Sequence, residues 1–168
     1  MGFFSNWLKA NSYKEQRSGI EFPGAIGSFK RGEATPYEAE PGKPGVAIEY
    51  GSEEAAVTIY VRAAGNPDHE TSEEFLKDNL AAIKTLEERG TYSNVKLYQF
   101  DADKERPGWR SAAFTSRTEN QFLVSFIYCK VATGYLVKIR ATTGDPKNET
   151  LQSFIKALQE VVDKAGES

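Results

Sequence analysis

One histidine, one cysteine and three small groups of acidic residues are the side chains of this chain best equipped for chemistry. His69 stands in the run NPDHE at residues 66–70. An imidazole titrates near neutrality, so His69 is a candidate general base that Asp68 or Glu70 would orient. Adjacent loop residues seldom converge on one substrate atom, and we read His69 as a solvated loop residue beside two acids. Cys129 would be a nucleophile only in an accessible, electropositive setting. It lies instead in the most apolar run of the chain, residues 121–130, with Tyr128 and Lys130 alternating to the opposite face. That placement predicts a buried cysteine acting as a small hydrophobe. Carboxylates gather at Glu38 and Glu40, at Glu53 and Glu54, and at Asp101, Asp103 and Glu105. Paired carboxylates can hydrolyse glycosides or hold a hard cation. The run DADKE at 101–105 lacks the glycine and closing glutamate of a calcium loop, and all three groups read as solvated loop or edge charges.

Counting then removes whole classes. One Cys and one His cannot supply the four ligands of a zinc site, and a single Cys forms no disulfide within the chain. No GxGxxG or GxxxxGK[ST] run follows a strand, and FPGAIG at 22–27 has neither the spacing nor the following helix of a phosphate loop. No catalytic residue, metal ligand or cofactor is therefore expected.

Residues suited to binding form a different set. In YLVKIRAT (135–142) Lys138 and Arg140 share a face with Leu136, and in AVTIYVR (56–62) Thr58, Tyr60 and Arg62 lie opposite Val57, Ile59 and Val61. If the hairpin over 121–142 pairs in an odd-sum register, Ser125 and Cys129 join Lys138 and Arg140. Such a face collects cations and aromatics fit for a small anionic ligand or an acidic partner protein. The alternative is a solvated or helix-covered face with cationic stems lying over apolar surface. Trp109, after Pro107-Gly108, is either an exposed anchor for a partner or a plug for the end of the core. Phe3, Phe4 and Trp7 fall with Leu8 on one helical face, which suits either a membrane surface or a terminal turn docked on its own domain. The opening MGFFSN approaches a myristoylation signal but has Asn6 where Ser or Thr is needed.

The elements that must position these residues are legible from periodicity. Residues 27–39 form a mixed extended stretch, with Pro36 suited to an edge or bulge. GVAIEY (45–50) and AVTIYVR (56–62) alternate across a short polar loop and read as a hairpin. A helix over 72–89 has Thr71 and Glu74 at capping-box spacing, an apolar stripe of Phe75, Leu76, Leu80, Ile83 and Leu86, and Gly90 as its stop. Strands follow at 94–101, 110–117, 121–130 and 135–142, with 121–130, apolar on both faces, expected at the sheet's centre. The chain closes on a helix over 146–165, with Asp145 as cap and Pro146 in the first turn. The order is βββ-α-βββ(β)-α. Consecutive strands favour hairpins, so the fold class is α+β, an antiparallel sheet of about six or seven strands flanked by two main helices.

The length of 168 residues, 39% of them hydrophobic with ten Phe and eight Tyr, fits a single core. Residues 1–18 read as an N-terminal extension and 19–168 as one α+β domain. A formal charge of −3 gives no support to nucleic-acid binding. No run of 18 apolar residues occurs, so no transmembrane segment is expected. Without a basic region followed by an apolar stretch, the expected compartment is cytoplasmic, or periplasmic or secreted if a leader has been cleaved.

At GVAIEY, AVTIYV and YLVKIRAT, with the amphipathic C-terminal helix behind them, the chain resembles the Mog1/PsbP-like group over about residues 19–165. It is also similar to uncharacterised bacterial proteins of that build. Cystatin-like and NTF2-like sheets stand as alternatives, although both usually place the main helix before the strands. The resemblance implies an α/β/α sandwich and a binding or accessory role; it carries no functional residue across. The expected function is thus a non-catalytic binding or accessory protein, with Tyr60, Arg62, Lys138, Arg140 and Trp109 as binding residues. Two alternatives stand beside it: a hydrolase using loop carboxylates, and a peripheral membrane protein using Phe3, Phe4 and Trp7. An acidic pair converging in a deep pocket would mark the hydrolase; a shallow aromatic and basic surface would mark the module.

Overall fold

Alternating β-branched and aromatic residues build most of this protein, because each strand then offers one face to a core and the other to solvent. The computed structural model describes residues 12–40, 42–64, 71–90, 93–99, 104–118, 121–132, 134–145 and 147–166. The expectations for Phe3, Phe4 and Trp7, for His69 with Asp68 and Glu70, and for Asp101 and Asp103 fall outside those residues.

The strands are β1 (Tyr13–Lys14), β2 (Glu21–Phe22), β3 (Ala25–Ile26), β4 (Phe29–Glu40), β5 (Lys43–Gly51), β6 (Ala55–Ala63), β7 (Ser93–Gln99), β8 (Trp109–Thr118), β9 (Gln121–Ala132) and β10 (Tyr135–Thr143). The helices are α1 (Ser72–Glu88) and α2 (Glu149–Gly166). Strands β1 and β2 make a small sheet of their own, and the main sheet runs β3-β4-β5-β6-β10-β9-β8-β7 with every pairing antiparallel. The class is α+β as expected, with four strands between the helices.

Among the described residues the main sheet has eight strands rather than six or seven. The additional strand is β3, which pairs with β4 through two residues only, too few to leave a periodic trace. The mixed stretch 27–39 belongs to one long strand, β4, whose register shifts between Arg31 and Ala34 and which places Pro36 beside Val46. Beyond β3 the outer side of β4 is a sheet edge, where proline is tolerated. The sheet's centre also differs from expectation: β6 and β10 occupy it, and β9 lies third from one edge. Strand β9 is apolar on both faces for another reason. Ile127 and Cys129 pack under α1, while Phe126 and Tyr128 point the other way, against the core beneath α2.

Helix α1 begins as its capping residue dictates. Thr71 Oγ1 accepts the Glu74 backbone N–H at 3.1 Å, and Gly90 closes the end with φ 81°. Helix α2 starts at Glu149, three residues later than the sequence pattern suggests. Asn148 Oδ1 takes the Leu151 N–H at 3.0 Å and is the true cap. Asp145 instead accepts from the Lys147 N–H at 2.9 Å, a local Asx turn that competes with helix initiation.

The two helices lie on opposite faces over opposite halves of the sheet. Helix α2 covers the face formed by Val46, Ile48, Tyr50, Val57, Ile59 and Val61, where Phe154 stacks on Phe29 with ring centres 4.1 Å apart. Helix α1 covers Ala112, Phe114, Ile127, Cys129 and Leu136 on the other face. Eight strands about 4.8 Å apart span roughly 34 Å, and one helix is only about 10 Å across. Among the described residues each face therefore keeps a part that its helix does not cover, although the small β1–β2 sheet joins α2 on its face through Ile20 and Phe22.

Candidate functional site

The part of the sheet beside α1 holds Tyr60, Arg62 and Lys138 of the residues singled out by the sequence. Strands β9 and β10 pair in the odd-sum register, Lys138 opposite Cys129 and Thr142 opposite Ser125. On the other side of β10, Lys138 faces Tyr60 and Leu136 faces Arg62. The result is a pocket of about 370 Å³ lined by Tyr37, Tyr60, Arg62, Phe75, Asn79 and Lys138, with Asp78 and Ala82 completing its helical wall.

Neutral groups hold the pocket's cations. Lys138 Nζ donates to Asn79 Oδ1 at 2.9 Å and stands 4.5 Å from the Tyr60 ring centre. The Arg62 guanidinium lies 5.1 Å from the Phe75 ring centre, and Tyr37 meets Tyr60 edge to face at 5.9 Å. Among the described residues no carboxylate forms an ion pair with Lys138 or Arg62. Burial pulls the Lys138 ammonium below the ordinary lysine range; Cys129 opposes that shift, and the Arg140 and Arg62 charges add to it. Burial raises the Tyr37 phenol, with Arg62 opposing and Tyr60 reinforcing.

The sequence pattern does not mark Tyr37, Phe75 and Asn79 as binding residues. The register explains Tyr37: it pairs with Gly45, which in turn faces Arg62 on β6. A Cβ at Gly45 would lie 2.8 Å from the Tyr37 ring, so glycine there lets the ring lie against the backbone. The Tyr-opposite-Gly pair is the signal that would have found it. Arg140 shares the sheet face of Lys138 but does not line the pocket; its guanidinium stands 5.6 Å from the Phe114 ring centre.

A larger cleft, about 630 Å³, occupies the uncovered part beside α2. Trp109 is found there, but not as an exposed anchor. Its side chain is 1% exposed and plugs the end of the core, because its indole N–H is drawn inward to Asp163 Oδ1 at 2.9 Å. Arg106 Nε and Lys130 Nζ each reach the same carboxylate at 2.5 Å. Burial alone would raise the Asp163 pKa; the donors Lys130, Arg106 and Trp109 outweigh it and hold the carboxyl below its usual range. Glu105 lines the cleft under opposite conditions. Ser111 Oγ donates to its Oε1, while Oε2 is buried without a partner among the described residues. Burial raises its pKa against the Ser111 hydrogen bonds and the Arg110 charge. The Tyr128 phenol is pushed up to about 12, chiefly by burial and then by Glu105.

Cys129 is fully buried, and burial raises its thiol to about 12 against the Lys138 charge. Glu38, Glu53 and Glu54 are exposed and stand on the outer strand and the β5–β6 loop, away from both pockets. Among the described residues no group of three His, Cys, Asp or Glu side chains could hold a metal ion, and no helix is long and apolar enough to cross a membrane.

Fold and pockets together define an α+β protein with a wide antiparallel sheet and two partly covered faces. Comparison with known proteins finds no matching family model and no similar curated protein.

Proposed function

We propose that the protein is a non-catalytic binding module that takes a small anionic ligand in the pocket between α1 and strands β4, β6 and β10. One observation carries this reading: Lys138 and Arg62 face the pocket while held by an amide and aromatic rings instead of carboxylates. A partly buried cation without a counterion is disfavoured, and an incoming anion relieves that cost. Tyr37 and Tyr60 supply apolar wall and hydroxyls for the rest of the ligand. The wide antiparallel sheet with one helix on each face supports the Mog1/PsbP-like reading, whose members are mostly binding or accessory proteins.

Calorimetric titration with inorganic phosphate and with benzoate tests the proposal. Saturable binding of either, lost in folded Lys138→Ala and Arg62→Ala variants, is the expected result. Failure of both anions to bind, or binding unchanged by both substitutions, contradicts it.

A further inference from the structure

We propose that the cleft between α2 and the β8–β9 pair is a second binding site, for a flat heteroaromatic molecule with a ring N–H donor at one end and an anionic group at the other, the build of a nucleoside monophosphate. The cleft lies on the opposite face of the sheet from the anion pocket, so this inference does not depend on the preceding one.

Three features of the cleft converge on that chemistry. Its floor is aromatic: Phe126 and Tyr128 alternate onto one face of β9 with ring centres 6.5 Å apart and planes within 23° of parallel. A planar ring stacks on such a surface without sequence-like specificity. One wall carries an unmet acceptor. Among the described residues Glu105 Oε2 is buried with no hydrogen-bond partner, although Ser111 binds the carboxylate through its hydroxyl and its backbone. Groups in that state are rare in folded proteins because an unmade hydrogen bond is expensive, so the oxygen marks a place for a donor from outside. The rim is cationic. Lys104 and Lys156 are exposed there and form no ion pair among the described residues, whereas Arg106 is bound to Asp163 and Glu160.

These features select among donors. A cationic amidine or guanidine would satisfy Glu105 but be repelled by the two lysines and by Arg110, whose charge already reaches Glu105. A neutral ring N–H satisfies the same oxygen without that repulsion, and an anionic substituent then meets the rim. A volume of about 630 Å³ lies in the range of small-molecule pockets. Burial keeps the Tyr128 phenol protonated to about 12, so it remains a hydrogen-bonding neighbour of the ring at any physiological pH.

The test is a set of two-dimensional NMR titrations of the whole protein with GMP, guanosine and ribose 5-phosphate. GMP, whose base offers adjacent N–H donors, is expected to shift the signals of Tyr128, Gln159 and the Trp109 indole. Ribose 5-phosphate is expected to bind at least tenfold more weakly. Glu105→Gln should weaken GMP about tenfold, and Lys156→Ala should weaken GMP several-fold while leaving guanosine unchanged. No shift at the cleft at millimolar GMP, equal binding of ribose 5-phosphate, or shifts confined to the Lys138 pocket would overturn the inference; the last result would leave the anion pocket standing and this site refuted.

Discussion

The halves of the sheet under the two helices are built from different materials. Beneath α2 the packing is aromatic and deep, with Phe154 set between Phe29 and Tyr50 and the Tyr50 hydroxyl bonded to the Pro23 carbonyl at 2.5 Å. Beneath α1 the buried side chains are mostly Leu and Ile, with Phe75 and Phe114 as the rings, and the helix brings a polar residue, Asn79, to the sheet. The charged groups divide along the same line. Asp163, beside α2, is satisfied from within by Arg106, Lys130 and Trp109; Lys138, beside α1, is held by neutral partners. A charge satisfied by the fold belongs to the fold, and one left without a counterion is available to a ligand.

Core substitutions give the largest effects and test the packing half of this contrast. Phe154→Ala should cost about 4 kcal/mol in denaturant unfolding, and Leu80→Ala on α1 about 3 kcal/mol. The reverse order would show that the α1 half is the better packed of the two.

Asp163→Asn comes next and tests the charge half. It should cost about 2 kcal/mol at pH 7, because three donors lose their charged acceptor. The native carboxyl titrates below its unfolded value, so its contribution is complete above about pH 3.9 and is lost as pH falls through the lower native value. The stability gap between variant and parent should therefore close in acid; a gap that persists to pH 2 would mean that shape, not charge, is what Asp163 supplies. Glu105 has the opposite sign. Its raised native pKa costs stability as pH rises from the unfolded value through the native one, so Glu105→Gln should be as stable as the parent at pH 7 or more stable. A drop in melting temperature would assign Glu105 to the fold.

Gly45→Ala has a smaller effect on folding and a local one on binding. The new Cβ would lie 2.8 Å from the Tyr37 ring, which must move. A loss of about 1 kcal/mol in stability and several-fold in anion affinity is expected, and unchanged affinity would remove Tyr37 from the pocket.

Periodicity made much of this architecture legible. The β5–β6 hairpin, the capped start of α1 and the β9–β10 pairing all announce themselves through spacing two or spacing three to four, because each has one buried face. What stayed hidden depends on contacts distant in sequence. Strand β3 is too short to show a period, and the central position of β6 and β10 arises from a pairing of residues as far apart as Ile59 and Ile139. The same holds for the pockets. Tyr60, Arg62 and Lys138 could be placed on one face from alternation plus a register, whereas Asn79 enters only through the way α1 crosses the sheet. Glu105 read as a solvated loop acid because nothing in DADKE reveals that Ser111 and the aromatic floor of β9 lie beside it.

The central claim rests on the charge state of one side chain. An NMR titration of the Lys138 ammonium, without and with saturating phosphate, tests it directly. Burial lowers its pKa in the free protein, and an anion that binds the charged form must raise it again. The account predicts a midpoint below the ordinary lysine value of about 10.4 that moves upward with phosphate, and an anion affinity that falls as pH rises through the free midpoint. A Lys138 that titrates as an exposed lysine, with the same midpoint in both conditions, would contradict it.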